Sequence, residues 1–317
     1  MLPVEAQGRK IGIVGVGAVG SACAFALLVS GLAGELVLVD ADRDRAAGEA
    51  MDLAHGTPFV RPVRVYDGEW ADLAGASAVV FTAGAGQRPG ETRLDLINRN
   101  LAVLKNVLPA ILKVAPGTVL IMVTNPVDIL TYAALRISGL GPERVIGSGT
   151  VLDSARFRQA LSLRCRVEAR NIHAYVLGEH GDSEVFPWSI ANIAGVGLDE
   201  YSRLTGLAPL SRQEIEAEVR SAAYAIIARK GATNYAVSLA VRRIIESILG
   251  DEQSIHTVSS LLQGEYGLDG VCLSLPCILN RSGRHKALAL TLAPEEEAAL
   301  RDSATVLKSV IASSGLA

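Results

Sequence analysis

Apolar residues in this 317-residue chain fall into two patterns, short solid runs and helical stripes. The solid runs sit in the first half: Lys10–Val14 (KIGIV), Glu35–Val39 (ELVLV), 78–82 (AVVFT) and 119–124 (VLIMVT). A strand that is apolar at nearly every position is covered on both faces, as in parallel sheets sandwiched by helices. Between the runs the period lengthens. Residues 21–30 are almost wholly apolar, and 94–114 carries a stripe at Leu94, Ile97, Leu101, Leu104 and Leu108, with Pro109 expected to break or kink its later part. The alternation predicts an α/β fold with a doubly wound parallel sheet over residues 9–150.

After GSGT (147–150) the pattern turns mostly helical. Helices are expected over 151–161, over 211–230 and from about 233 to 249. The 211–230 helix shows a Ser211/Glu214 capping box, Gly231 past its end, and an apolar face of Ile215, Val219, Ala222, Ala223 and Ile226. An antiparallel strand is expected at 271–275. A closing helix over 294–311 has acids at its start and Lys308 near its end, matching the helix dipole. Residues 151–317 therefore read as a second, α+β domain.

Three places interrupt these patterns with residues suited to chemistry. The first follows Lys10–Val14, where Gly15, Gly17 and Gly20 fall at GxGxxG spacing before a helix. Gly15 makes the turn, Gly17 admits a pyrophosphate to the backbone, and Gly20 lets helix and strand pack closely. This is the Rossmann-type arrangement. Asp40, 20 residues after Gly20 at the end of the second run, can accept hydrogen bonds from an adenosine ribose and would repel a 2′-phosphate. NAD is thus favoured over NADP. The second place is the glycine-rich segment 83–93 (AGAGQRPGETR), a candidate lid presenting Gln87, Arg88 and Arg93. Asn125, at the end of the fourth run, has an amide suited to the nicotinamide ribose, to a substrate, or to a plain Asn-Pro turn.

The third place is 171–188 (NIHAYVLGEHGDSEVFPW), an apolar run at 174–177 leading into His180 between Gly178 and Gly181. That reads as a strand ending in a bent loop with an imidazole at its tip, either a structural histidine or a proton donor working near neutral pH. Asp153 and Arg156, three apart on the 151–161 helix, share a face. They are either a surface ion pair or a working pair: Arg156 offering a bidentate fork to a carboxylate, Asp153 fixing one tautomer of His180. Thr233, between two helices, caps one of them or faces a ligand.

Composition narrows the class. Half of the residues are hydrophobic, 20% are charged, and the net charge is −3. No basic run favours nucleic acid. No apolar stretch reaches the ~18 residues of a membrane span, and the N-terminus lacks a signal-peptide core. The four cysteines show neither zinc spacing nor a disulfide framework. A cytoplasmic setting without a metal is the expectation.

Together, GVGAVGS (15–21), TAGAGQRPGETR (82–93), TNPVD (124–128), GSGTVLDSARFR (147–158) and LGEHGDSE (177–184) resemble the NAD-dependent L-lactate dehydrogenase family, bacterial type. The resemblance runs from Lys10 nearly to the C-terminus. It implies that His180 gives a proton to the ketone oxygen of pyruvate as NADH delivers hydride. It further implies that Asp153 orients His180, Arg156 holds the carboxylate, and Arg93 on a closing lid polarises the ketone. Gln87, Asn125, Asp128 and Thr233 join the substrate set. Gly15, Gly17, Val19, Gly20, Asp40, Gly84, Ala85, Val123, Asn125 and Thr150 form the cofactor set. Gln87 in place of the arginine of the related malate dehydrogenases implies pyruvate over oxaloacetate. Arg158 and His173 match a pair that binds fructose 1,6-bisphosphate in allosteric members, and the family's assembly implies a homotetramer serving glycolysis and pyruvate fermentation. Pro187 directly before Trp188 departs from the family pattern. The rival readings are malate dehydrogenase and a dinucleotide-binding protein that does no chemistry.

Overall fold

The computed structural model describes residues 9–86, 90 and 92–316, and the side chain of Arg93 lies outside that description. The first half runs β1 (Lys10–Val14), α1 (Ala18–Ser30), β2 (Glu35–Val39), α2 (Arg43–His55), β3 (Arg64–Asp67), β4 (Ala78–Phe81), α3 (Arg93–Val114), β5 (Val119–Met122), α4 (Val127–Ser138) and β6 (Val145–Gly147). The strands are parallel, in the order β3-β2-β1-β4-β5-β6. The order reverses between β1 and β4, which opens a crevice beyond their carboxyl ends. Every residue of β4 and β5 is buried, as their solid apolar runs require.

The runs outlast the strands slightly. Thr82 leaves β4 to donate its hydroxyl to the carbonyls of Val14 and Gly15. Thr124 turns out after β5 and donates to the Ala83 carbonyl. α1 begins three residues before its apolar stretch does. α3 passes through Pro109 without a break, because Leu104, Leu108 and Ile111 are fully buried around it. Burying each contributes roughly 1.5–3 kcal/mol, which together outweighs the ~3 kcal/mol of an interior proline.

The second half runs α5 (Val151–Cys165), β7 (Ile172–His173), β8 (Asn192–Ile193), β9 (Val196–Gly197), α6 (Leu198–Thr205), α7 (Arg212–Lys230), α8 (Tyr235–Gly250), β10 (Ser254–Gln263), β11 (Asp269–Asn280), β12 (Gly283–Ala287) and α9 (Pro294–Ser313). It adds to the same sheet. β10 meets β6 antiparallel at Ser259 and Gly147, and β11 and β12 follow outward. β11 extends the expected strand at both ends, and β10 and β12 were not evident as strands in the sequence. Ser211 stands at the N-cap of α7, but its side chain makes no capping bond, so the expected box does not form. α7 buries only Ile215 and Val219 of its expected face. Ile226 is 36% exposed.

Two cores result. The main one lies on the sheet. A smaller one gathers Phe157, Leu161, Ile172, Val176, Phe186 and Ile215. The run 174–177 is not the strand its sequence promised; it carries only isolated bridges, Leu177 to Val185 and Gly178 to Ser274. The reason is that its backbone pairs with side chains: Val176 N donates to Ser154 Oγ, and the Val176 carbonyl accepts from the Thr150 hydroxyl. Val176 packs into the smaller and Leu177 into the main one, and beyond the loop Val185 and Phe186 repeat this in reverse. At the departure from the family pattern, Pro187 precedes a short helical turn. There Trp188 donates Nε1–H to Glu216 and meets the Phe157 ring edge-on.

Candidate active site

The glycine turn is built for close approach. Gly15 has φ +93°, and a Cβ there would stand 2.4 Å from the Ala83 nitrogen. A Cβ on Gly20 would fall 1.9 Å from the Gly15 carbonyl oxygen. The space before Gly17 is open, and Gly17 caps α1 without a side chain. The first N–H groups of α1 thus face a free anion seat. Asp40, at the end of β2, accepts from Val16 N at 2.6 Å and Asp42 N at 2.9 Å. Its carboxylate is fixed beside the glycine turn, with lone pairs left for hydroxyl donors. These features fit a dinucleotide.

Further along the crevice a cavity of about 130 Å³ is lined by Val19, Val123, Asn125, Arg156, His180 and Thr233, among others. The sequence scatters these residues over more than 200 positions; the fold brings them together from the start of α1, from the end of β5, from α5, from the 178–184 loop and from the α7–α8 turn. An adjoining cavity of about 420 Å³ shares Asn125, Arg156 and His180 and adds Asp153, Glu184 and Arg220. Thr150 is fully buried and gives its hydroxyl to the Val176 carbonyl, so it stands behind the wall. Gly84 and Ala85 follow β4 on the crevice side. Gln87 and the Arg93 side chain lie outside the described residues.

At the centre, His180 Nδ1 meets Asp153 Oδ2 at 2.6 Å, and Arg156 Nη1 donates to Asp153 Oδ1 at 2.8 Å. The Asp153–Arg156 pair is buried, with side chains 4% and 14% exposed, so it is not a surface ion pair. Both charges can act through a weakly screening medium. Burial alone would raise the Asp153 carboxyl, but the His180 and Arg156 cations hold it below the usual range. Burial would likewise lower His180; ionised Asp153, aided by Asp128 and Glu184, instead raises it to about 9. The imidazole therefore carries its proton at neutral pH, with Nδ1 engaged by Asp153 and Nε2 left for a ligand. Burial and the nearby Asp153 charge push Glu184 up to about 8, against the pull of Arg220.

Two contributors escaped the sequence reading, and a third, Asp128, holds something other than expected. Asn100, 1% exposed, accepts from Ala85 N at 2.9 Å and donates to the carbonyls of Ala85 and Asn125, tying the stem of the 83–93 segment to the end of β5. Its signal was available: a polar residue three after Ile97 and four before Leu104, within an apolar stripe. Glu184, in the acidic segment that follows His180, is buried. Asp128 was placed among substrate residues, but its carboxylate accepts the backbone N–H of His180 at 2.8 Å. The Asn125–Pro126 bond is cis. Away from the crevice, Arg158 gives Nε–H to the carbonyl of Ala174, the neighbour of exposed His173. Among the described residues no cluster of three or more His, Cys, Asp or Glu is arranged to hold a metal, and no helix is long and apolar enough to cross a membrane.

Residues 9–147 match the model of the lactate/malate dehydrogenase NAD-binding domain, and 150–315 match that of the family's alpha/beta C-terminal domain. An L-lactate dehydrogenase of Moorella thermoacetica is 56% identical over 306 residues, 96% of each chain. One from Clostridium perfringens is 49% identical over 315 residues, 99% of each. Among solved structures, the minor L-lactate dehydrogenase of Enterococcus mundtii in its ligands-bound form superposes with a TM-score of 0.93 at 38% identity, covering 96% of this chain and 98% of that one.

Proposed function

The chain belongs to the lactate/malate dehydrogenase family, and from that premise we propose how its residues divide the work of an NAD-dependent L-lactate dehydrogenase, interconverting pyruvate and L-lactate. The observation that carries the reading is the buried Asp153–His180 contact with Arg156 on the same carboxylate. The glycine turn, the start of α1 and Asp40 would hold NAD, with Val19 and Val123 at the nicotinamide end. Bound NADH supplies the hydride. Arg156 grips the substrate carboxylate with its planar fork. Protonated His180 gives its proton to the ketone oxygen as negative charge builds there, and neutral His180 takes it back in the reverse direction. Asp153 stays ionised in both. Arg93, arriving with the lid, adds a second cation at the ketone oxygen. A fixed imidazolium in a site closed to water stabilises the transition state more than the ground state. In the same reading the chain divides near residue 150 into an NAD-binding and a catalytic part.

Gln87 bears on substrate choice. A neutral amide leaves a second carboxylate without a partner, so pyruvate is preferred over oxaloacetate. Comparing kcat/KM for the two decides between lactate and malate activity, and an oxaloacetate preference would overturn the reading. The pH dependence has a fixed sign. The raised His180 keeps the acid form present up to about 9. Pyruvate reduction should hold below that pH and fall about tenfold per unit above it, while lactate oxidation rises through the same range. Initial rates in both directions over pH 6–11 test this.

The proposal extends to assembly and control. Phe25, Val29, Tyr235 and Leu239 are 57–71% exposed around an apolar cleft between α1, α2 and α8, a surface that favours burial against another copy in a homotetramer. Arg158, bonded to the carbonyl of Ala174 beside His173, would join His173 in serving one phosphate group of fructose 1,6-bisphosphate. A pyruvate saturation curve unchanged by that bisphosphate would remove the allosteric role. A cytoplasmic place in glycolysis and pyruvate fermentation completes the reading.

A further inference from the structure

Asp128 opens α4 at 2% exposure and lines neither cavity of the crevice. What the carboxylate holds is the main chain of the catalytic residue, through Oδ2 on His180 N–H. Oδ1, beside the Ser259 hydroxyl, is left without a full hydrogen bond. His180 is thus tied to two carboxylates, Asp153 at its ring and Asp128 at its backbone. On the reading of His180 as the acid–base group, we propose that Asp128 is a positioning residue that fixes the height of the imidazole in the pocket and favours its protonated form by a buried negative charge.

The rest of the loop shows why one anchor at this point matters. Gly178 exchanges two backbone hydrogen bonds with Ser274, and Glu179 N donates to the Ser303 hydroxyl. Those bonds hold the loop from β11 and α9, and Arg220 of α7 holds its far end through the Glu184 carbonyl. Asp128 adds a hold from α4 at the backbone of the catalytic residue itself. Its charge is poorly screened because both it and the His180 backbone are enclosed. Other charges surround the imidazole and Asp128. α5 contributes Asp153 and Arg156; the loop itself contributes Glu184 and Asp182 on the imidazole side and Glu179 beside Asp128; and α7 contributes Arg220, 4.0 Å from Glu184. Burial, with the Glu179 charge, pushes Asp128 up to about 6, against the Ser259 hydroxyl and the His180 N–H that favour its charge. It is therefore ionised across the range in which His180 works.

Asp128→Asn separates the two roles, since the amide oxygen still accepts the N–H while the charge is gone. The first measurement is an NMR titration of 15N-labelled imidazoles in the wild type and in D128N without substrate, with the His180 signal identified from H180N. The His180 pKa should fall by roughly one unit in D128N, the effect of one nearby charge. In kinetics the alkaline fall of pyruvate kcat/KM should move down equally, with pyruvate KM near neutral pH changed less than about twofold. An unmoved His180 titration in folded D128N overturns the proposal. A raised pyruvate KM as the main effect does the same, returning Asp128 to the substrate set. If D128N does not fold, the wild type decides: a second inflection of the His180 signal near pH 6 supports the charge coupling and its absence refutes it. The titration needs no turnover, so it stands apart from whether the wild type reduces pyruvate.

Discussion

Replacing His180 by asparagine should lower kcat for pyruvate reduction about 10²- to 10⁴-fold, the contribution of a positioned acid, while NADH binding is retained. Asparagine keeps a donor for Asp153, whose other oxygen still pairs with Arg156 at 2.8 Å. The buried carboxylate is not orphaned, and the fold survives. What disappears is the proton at the ketone oxygen. The residual rate should also lose its alkaline fall, because the group that titrates at about 9 is gone. NADH affinity by fluorescence, beside the kcat pH profile, gives the comparison. A kcat within tenfold of wild type, or a profile that still falls near 9, would move the acid to another residue.

Arg156→Lys should reduce pyruvate kcat/KM roughly 10- to 200-fold, the weight of one charge-assisted hydrogen bond of 1.5–3 kcal/mol, with KM carrying most of the loss. Lysine preserves the positive charge and can still reach Asp153, so the His180 environment is nearly kept. It cannot present two parallel N–H groups to a carboxylate. The loss should therefore be one of grip and orientation. A near-normal pyruvate KM in R156K would show that Arg156 only completes the ion pair with Asp153.

The sequence foretold the sheet well where it was simple. Solid apolar runs gave β1, β2, β4 and β5 within two residues, because strands buried on both faces leave little freedom in composition. β10 was harder. Its buried stretch includes Thr257, Ser259 and Ser260, and the Thr257 hydroxyl pairs with that of Ser154 on α5, so no hydrophobic period announces it. β12 (GRHKA) is a polar edge strand. The Ser211–Glu214 spacing promised a capping box that the side-chain geometry does not make. Within the crevice, helix spacing left Asp153 and Arg156 as a surface ion pair or a working pair; the resemblance singled out the second, and the burial that favours it was not legible. Asp128 and Asn100 were harder still, since both act on backbone atoms, and nothing in a side-chain motif records which main-chain groups need a partner.

The 178–184 loop leaves and re-enters the two cores through Val176–Leu177 and Val185–Phe186. A segment riveted at both ends into separate hydrophobic masses has no cheap local opening of its own. Loss of the acid–base geometry on heating must then wait for the chain as a whole to melt. Any suppleness that turnover requires has to come from parts of the molecule less firmly seated than this one.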